Sequence, residues 1–478
     1  MVYLFVQDND FREEINYAFD LLFNIMGVNY SLKYEKANMD DIVVIYGDRV
    51  DFVTCAKKII INESKSLFNK NYLKTMPNIE INKFILEKKI GYFNDIILLF
   101  GNNNYSIDYK EDTVKTNIDF VSNIFFIVSR YEEYLCEEKD KHKRFCHKSS
   151  ELFKAGLIDR PIVNEYAKLL FEIIRYLDKD IVEKSYWDEK EYAFCVSHDI
   201  DSIFKYRDKF CKSLIIKLGR ERDIIGVVEM VKNLLVTYKD INNDPFWSFD
   251  YMLDLEKQYN FTSSYYFMTG GSSKKDNFYN INNRTLTSVF DKIKKGGSEI
   301  GIHGSYNSYN EVKMLGAEVN NFKFIGEMLG IRQHYLRFDV KNTWNNQILN
   351  GFKYDTTLGF AGAIGFRAGI CSPFKPFDLN SRKKLDIWEI PLIVMDGTLA
   401  DEQYMNLNKE EALKYVKLLM DRVKSVNGVF TLLWHNSSFD KTNQWEAWNN
   451  VYESILKYAY DTNAMGVSGI ELVNQYNK

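Results

Sequence analysis

Residues 192–196, Tyr-Ala-Phe-Cys-Val, form a short apolar run that leads into Ser-His-Asp-Ile-Asp at 197–201, and this stretch most limits what the chain can fold into. Such a run reads as a buried strand with a polar cluster at its carboxyl end. In α/β folds, chemistry collects at that end of the strands. Side chains alternate along an extended backbone, so Asp199 and Asp201 point the same way and share one small space. Like charges that close need a cation or a proton between them.

The rest of the chain supplies strands and helices around that stretch. At about 150 residues per domain, 478 residues allow two or three domains. A small α/β domain is expected over 1–110, from a strand at 2–6, a helix at 11–26 and a strand at 41–47. A helical connector is expected over 111–189, with its longest helices at 120–135 and 163–177. Within it, the spacing of Cys136, His142, Cys146 and His147 fits no zinc module, and 137–144 reads as a solvated charged loop.

From 190 to 478, strand and helix alternate, which predicts parallel strands closing towards a distorted (β/α) barrel with a helical insertion at about 202–239. Strands are expected at 262–268, 299–303, 335–338, 387–394 and 428–434. Helices are expected at 244–259, 284–295, 311–329, 409–425 and 445–460.

Composition excludes several function classes. With 62 basic against 66 acidic residues the net charge is −4, which gives no long-range reason to expect nucleic acid or an anionic membrane as a partner. The five-residue apolar run at the amino terminus has no basic flank, and no run approaches the roughly 18 apolar residues of a membrane span, so a cytoplasmic protein is expected. Six scattered cysteines, Cys55, Cys136, Cys146, Cys195, Cys211 and Cys371, are expected to be reduced thiols.

Several expected strands end in side chains of one chemical kind: Asp199 and Asp201, His303 with Asn307, Arg337, and His435. The four-residue spacing puts His303 and Asn307 on one face, helical or extended. A carboxylate, an imidazole and an amide oxygen can hold a divalent metal with positions left for water and substrate.

These residues lie in five motifs, and over about 191–478 the chain resembles the metal-dependent polysaccharide deacetylases, the carbohydrate esterase family 4 or NodB-homology group. The likeness is to a divergent branch with an extra amino-terminal domain. The resemblance implies one divalent metal ion, zinc first, with cobalt, nickel or manganese as alternatives. It implies Asp199 as general base and Asp201 as a metal ligand, both in Ser-His-Asp-Ile-Asp. His303 and Asn307 take the His-x-x-x-His positions, and Asn307 stands where the family has a second histidine. Arg337, in Tyr-Leu-Arg-Phe, matches the arginine that holds the base, and His435, in Leu-Leu-Trp-His, matches the general acid. For the remaining motif Asp355 is the first candidate and Asp396 the second.

The implied activity is removal of an N-acetyl group, secondarily an O-acetyl group, from an amino sugar, oligosaccharide or polysaccharide. Two alternatives stand beside it. One is an inert barrel that only binds glycan or a partner, with Asn307 as the sign of a lost metal; the other is a cyclic-amide hydrolase of the same superfamily. Arg367, Trp434 and Asp396 are candidate substrate contacts. Arg332 and Arg367 could equally pair with acids, and Trp344, Trp434 and Trp445 read as core aromatics rather than a sugar platform. His198 and His334 fall on no motif position and are expected to be structural.

Overall fold

The computed structural model describes residues 1–478 apart from 8–9, 49–56, 101–103, 208–213, 277–278 and 442. Cys55 and Cys211 lie outside the described residues; Cys136, Cys146, Cys195 and Cys371 are unbridged. The chain forms two compact units. Unit 1 holds residues 1–189 with 366–391 and 421–429, and unit 2 holds 190–365, 392–420 and 430–478. Two later segments therefore return to the amino-terminal unit.

Unit 1 is built on a sheet in the order β2-β1-β3-β4-β8-β7, formed by β1 (Val2–Val6), β2 (Tyr30–Ser31), β3 (Ile42–Tyr46), β4 (Lys57–Ile61), β7 (Ile107–Lys110) and β8 (Thr113–Thr116). All pairs are parallel except β7 with β8. β3, Ile-Val-Val-Ile-Tyr, is buried at every position, as a strand covered on both faces requires. A separate hairpin pairs β5 (Asn82–Ile90) with β6 (Phe93–Leu98). The segment 366–391 adds the hairpin of β14 (Phe377–Asp378) and β15 (Lys383–Lys384), and the short β16 (Trp388–Glu389).

The helix Phe120–Val128 is wholly buried and apolar apart from Ser122 and Asn123, and Asp119 caps it by accepting from Ser122 N at 3.1 Å. The single helix expected at 120–135 breaks at Arg130, whose φ of 57° is left-handed; a second short helix follows at Tyr131–Leu135. The charged stretch after it is not simply solvated. Arg144 is buried and pairs with Asp140 at 2.8 Å.

Unit 2 carries an open parallel half-barrel. β13 (Tyr354–Asp355), β12 (Gly330–Gln333), β11 (Glu299–Gly304), β10 (Ser263–Phe267), β9 (Tyr192–Ile200), β18 (Val429–Leu433) and β17 (Val394–Met395) are neighbours in that order, and β19 (Ala464–Gly466) also pairs with β9. β9 is central and buried at all nine positions. It runs four residues past the expected apolar stretch, so His198 and Asp199 lie within the strand rather than after it.

The main difference from expectation is β12. The strand expected at 335–338 lies at Gly330–Gln333, and the next residues form a tight turn with Tyr335 at φ 62° and Leu336 at φ 52°. In register, His303 of β11 faces Arg332 of β12, and Tyr266 of β10 faces Asp199 of β9. Parallel pairing thus brings the carboxyl ends of β9, β11, β12, β17 and β18 to one rim. Among the described residues no helix is long and apolar enough to cross a membrane.

Candidate metal centre

Asp201, just past β9, His303 on β11 and His334, just past β12, each offer one ligand atom, and these atoms lie within 4.8 Å of one another. Asp201 Oδ1 is 3.2 Å from His303 Nε2 and 3.5 Å from His334 Nε2. His303 Nδ1 lies 3.0 Å from the carbonyl oxygen of Arg332 and donates to it, so Nε2 is the ring nitrogen turned towards Asp201. Nε2 and a carboxylate oxygen of Asp201 face each other across 3.2 Å. Both atoms are buried without a hydrogen-bond partner. A divalent ion satisfies both at once, and the donor set of two imidazoles and one carboxylate suits zinc and its neighbours.

The surroundings fit that use. Asp276 accepts the N–H of Tyr306 at 2.7 Å and of Ser273 at 2.9 Å, and stands 3.4 Å from His334 Nδ1, where it orients the ring. Burial alone would lower the His334 pKa, but Asp201 and Asp276 raise it to about 9. Burial likewise opposes ionisation of Asp201, yet His334 and His303 hold it well below the ordinary carboxylate range.

Asp199, the other carboxylate of β9, is buried, and its Oδ1 accepts from Arg332 Nη1 at 2.9 Å. Arg332 is itself fixed: Nε donates to the Thr356 carbonyl at 3.0 Å, Nη2 to the Thr356 hydroxyl at 3.1 Å, and the guanidinium lies 4.8 Å from the Tyr266 ring centre. His435, after β18, is gripped by Asp396, after β17, through Nδ1 at 2.7 Å and its backbone N–H at 2.7 Å. Burial would lower the His435 pKa; Asp396 first, then Asp201 and Asp199, push it up to about 10. His435 Nε2 points towards Asp201, 3.9 Å from Oδ2. One rim therefore holds a candidate cation site, a buried carboxylate fixed by arginine and an imidazolium fixed by aspartate.

Over about 60% of its length the chain is similar to polysaccharide deacetylases of known structure. A protein assigned as a polysaccharide deacetylase from Mycobacterium smegmatis is 13% identical, with 60% of this chain and 91% of that chain covered and a TM-score of 0.40. The allantoinase PuuE is 11% identical over 62% of this chain and 94% of its own, with a TM-score of 0.38. The peptidoglycan deacetylase PdaC of Bacillus subtilis is 13% identical over 60% and 93%, with a TM-score of 0.27. Residues 3–179 match the family DUF7033, a family of unknown function. No curated protein matches the chain.

Position in the deacetylase motifs and position in space differ at several residues. Asn307, the expected third ligand, accepts from Arg337 Nη1 at 3.0 Å, and the residue that joins Asp201 and His303 is His334, which motif order left as structural. Arg337 is held elsewhere than on Asp199: it donates to the Tyr306 carbonyl and the Tyr309 hydroxyl, and stacks over both rings at 4.0 and 4.1 Å. The arginine on the buried carboxylate is Arg332. Asp396, expected as a substrate contact or second choice for the remaining motif, is the partner of His435. Asp355 instead takes the Thr357 hydroxyl at 2.5 Å.

Two expected substrate contacts are structural. Arg367 belongs to unit 1, buried with Nε and Nη2 on Glu133 at 2.9 and 2.7 Å. Trp434 is fully buried against Tyr452 and Trp448, so no sugar can stack on it. His198 points away from the metal cluster, with Nδ1 on the Trp434 carbonyl and Nε2 on Glu256, both at 2.7 Å. A signal for the missed pair was present: Arg332-Gln333-His334 repeats the alternation of Asp199-Ile200-Asp201, two chemical side chains separated by one.

Proposed function

We propose that unit 2 is a metal-dependent hydrolase that removes an N-acetyl group from an amino sugar, oligosaccharide or polysaccharide, with an O-acetyl group as the secondary substrate. The observation that carries this reading is the buried pair of His303 Nε2 and Asp201 Oδ1, facing each other at 3.2 Å with His334 beside them. A divalent ion held by Asp201, His303 and His334 would polarise the acyl carbonyl and acidify the attacking water.

The protein's own groups supply the proton transfers. Asp199, oriented by Arg332, takes a proton from the water as its oxygen bonds to the acyl carbon. His435, kept protonated by Asp396, gives its Nε2 proton to the amine nitrogen as the carbon–nitrogen bond breaks. Acetate and a free amine leave, and the two protonated states are restored from solvent. His334 beside Asp201 and His303 supports metal binding although Asn307 lies elsewhere, and so favours the hydrolase over an inert barrel.

The test is elemental analysis of the purified protein together with acetate release from N-acetylated oligosaccharides. About one ion per chain and acetate release lost in both Asp199→Ala and His435→Ala are the expected results. A protein that binds no zinc, cobalt, nickel or manganese, or acetate release unchanged by those substitutions, would sink the reading.

A further inference from the structure

The excursion that leaves β9 directly after Asp201 carries an apolar surface that the metal site does not use. Ten of the twenty-four exposed large apolar side chains among the described residues fall between Ile215 and Tyr238. The helix Ile224–Lys239, capped by Asp223 on Gly226 N at 2.8 Å, buries only Met230 and Thr237 of its sixteen residues. At 100° per residue these two lie together on one side. Opposite them Ile224, Ile225, Val228, Val231, Leu235 and Val236 are exposed, Ile225 at 83%. A helix packed on its own protein should bury the apolar stripe; this one turns it outward.

Charge on that face narrows what covers it. Lys232 and Lys239 are exposed within the apolar sector, and Glu229 sits at its edge. Residues 214–239 hold five basic side chains against three acidic ones, in a chain whose net charge is −4. Lysine is depleted from protein–protein contacts, whereas at a lipid surface its stem lies along the apolar layer and its ammonium meets the headgroups. Tyr238, at the helix end, is exposed and carries the Arg207 guanidinium 4.4 Å from its ring centre, an amphipathic pair suited to the same boundary.

We propose that the helix Ile224–Lys239 docks unit 2 on an anionic bilayer surface. The docking stands on the exposed face alone. Its consequence for function rests on the hydrolase reading: because the excursion begins at Ser202, beside the ligand Asp201, docking favours an acylated sugar carried on a lipid over one free in solution.

The experiment is co-sedimentation of the full-length protein with vesicles of phosphatidylcholine, with and without phosphatidylglycerol, at low and high salt. Binding to the anionic vesicles, weakened by salt, is expected. It should fall about tenfold or more in Ile225→Glu/Leu235→Glu and less in Lys232→Glu/Lys239→Glu, with circular dichroism unchanged because every substituted side chain is exposed. Asp201→Ala should bind like wild type, which separates failure of docking from failure of the metal site. Wild type left in the supernatant with both kinds of vesicle, or a double variant that still sediments, overturns the proposal. So does a concentration-dependent dimer in vesicle-free solution that Ile225→Glu/Leu235→Glu dissolves, since that assigns the face to a second copy of the chain.

Discussion

Arg332 Nη1 donates to Asp199 Oδ1 at 2.9 Å, with both side chains buried, and neither has a solvent-exposed alternative. The pair fixes one carboxylate of β9 beside the candidate metal site. Lysine at 332 keeps the charge but cannot reach Asp199 and Thr356 together. Arg332→Lys is therefore expected to lower kcat/KM for acetate release by about a hundredfold while metal content stays near one ion per chain. Arg337→Lys should cost less than tenfold by the same measure, since Arg337 holds Asn307 and two tyrosines rather than Asp199. The reverse order would return the motif arginine to the base.

Metal affinity separates His334 from Asn307. Removing one of three protein ligands should weaken zinc binding by about a hundredfold or more, so His334→Ala is expected to lose zinc to a competing chelator that wild type resists. Asn307→Ala leaves all three donors in place and should change affinity by less than about threefold. Competition titration with a chromophoric chelator reads both.

Much of the half-barrel could be read from the chain because its strands are apolar runs closed by turns. β9, β10, β11 and β18 fall within a few residues of their expected places, and Asp199, Asp201, His303 and His435 follow from them. β12 could not be read in the same way. Its strand, Gly-Ile-Arg-Gln, carries polar side chains into the core, while the neighbouring Tyr-Leu-Arg-Phe has the stronger β-forming composition. The competition is decided by tertiary pairing with β11 and by two left-handed residues, Tyr335 and Leu336, which no propensity anticipates. A five-residue displacement then moved the arginine from 332 to 337 and hid His334. Arg367 was illegible for another reason: nothing local marks 366–391 as belonging to unit 1.

In the proposed hydrolysis the Asp396–His435 pair sets the alkaline limit of activity. His435 must carry a proton to act as the acid, and Asp396 raises its pKa against burial to about 10, so acetate release should persist through neutral pH and fall as pH rises through that value. Asp396→Asn removes the charge that raises it most among its neighbours. Its imidazolium then deprotonates at lower pH, and the alkaline limb of the kcat/KM profile should move down by about two units, with kcat/KM at pH 8 reduced about twofold. A limb that stays in place in the variant would assign it to another group.

Glu318 gives the fold its own pH dependence. It is buried beneath the turn after His303, where Ser305 donates to it from N at 3.1 Å and from its hydroxyl, and burial pushes its carboxyl up to about 7. In the unfolded chain the same carboxyl titrates near 4.5. Between those values the folded state holds a proton that the unfolded state has lost, so the contribution to stability is complete below about 4.5 and falls away as pH rises to about 7. Above that range the protein carries the cost of a buried charge, on the order of 3 kcal/mol. Gln at 318 fills the same volume and can exchange hydrogen bonds with Ser305 without ionising. Glu318→Gln is therefore expected to unfold at higher urea than wild type at pH 8.5 and at nearly the same urea at pH 4.5. Equal midpoints at pH 8.5, with the urea dependence unchanged, would mean that Glu318 ionises in the fold at no cost.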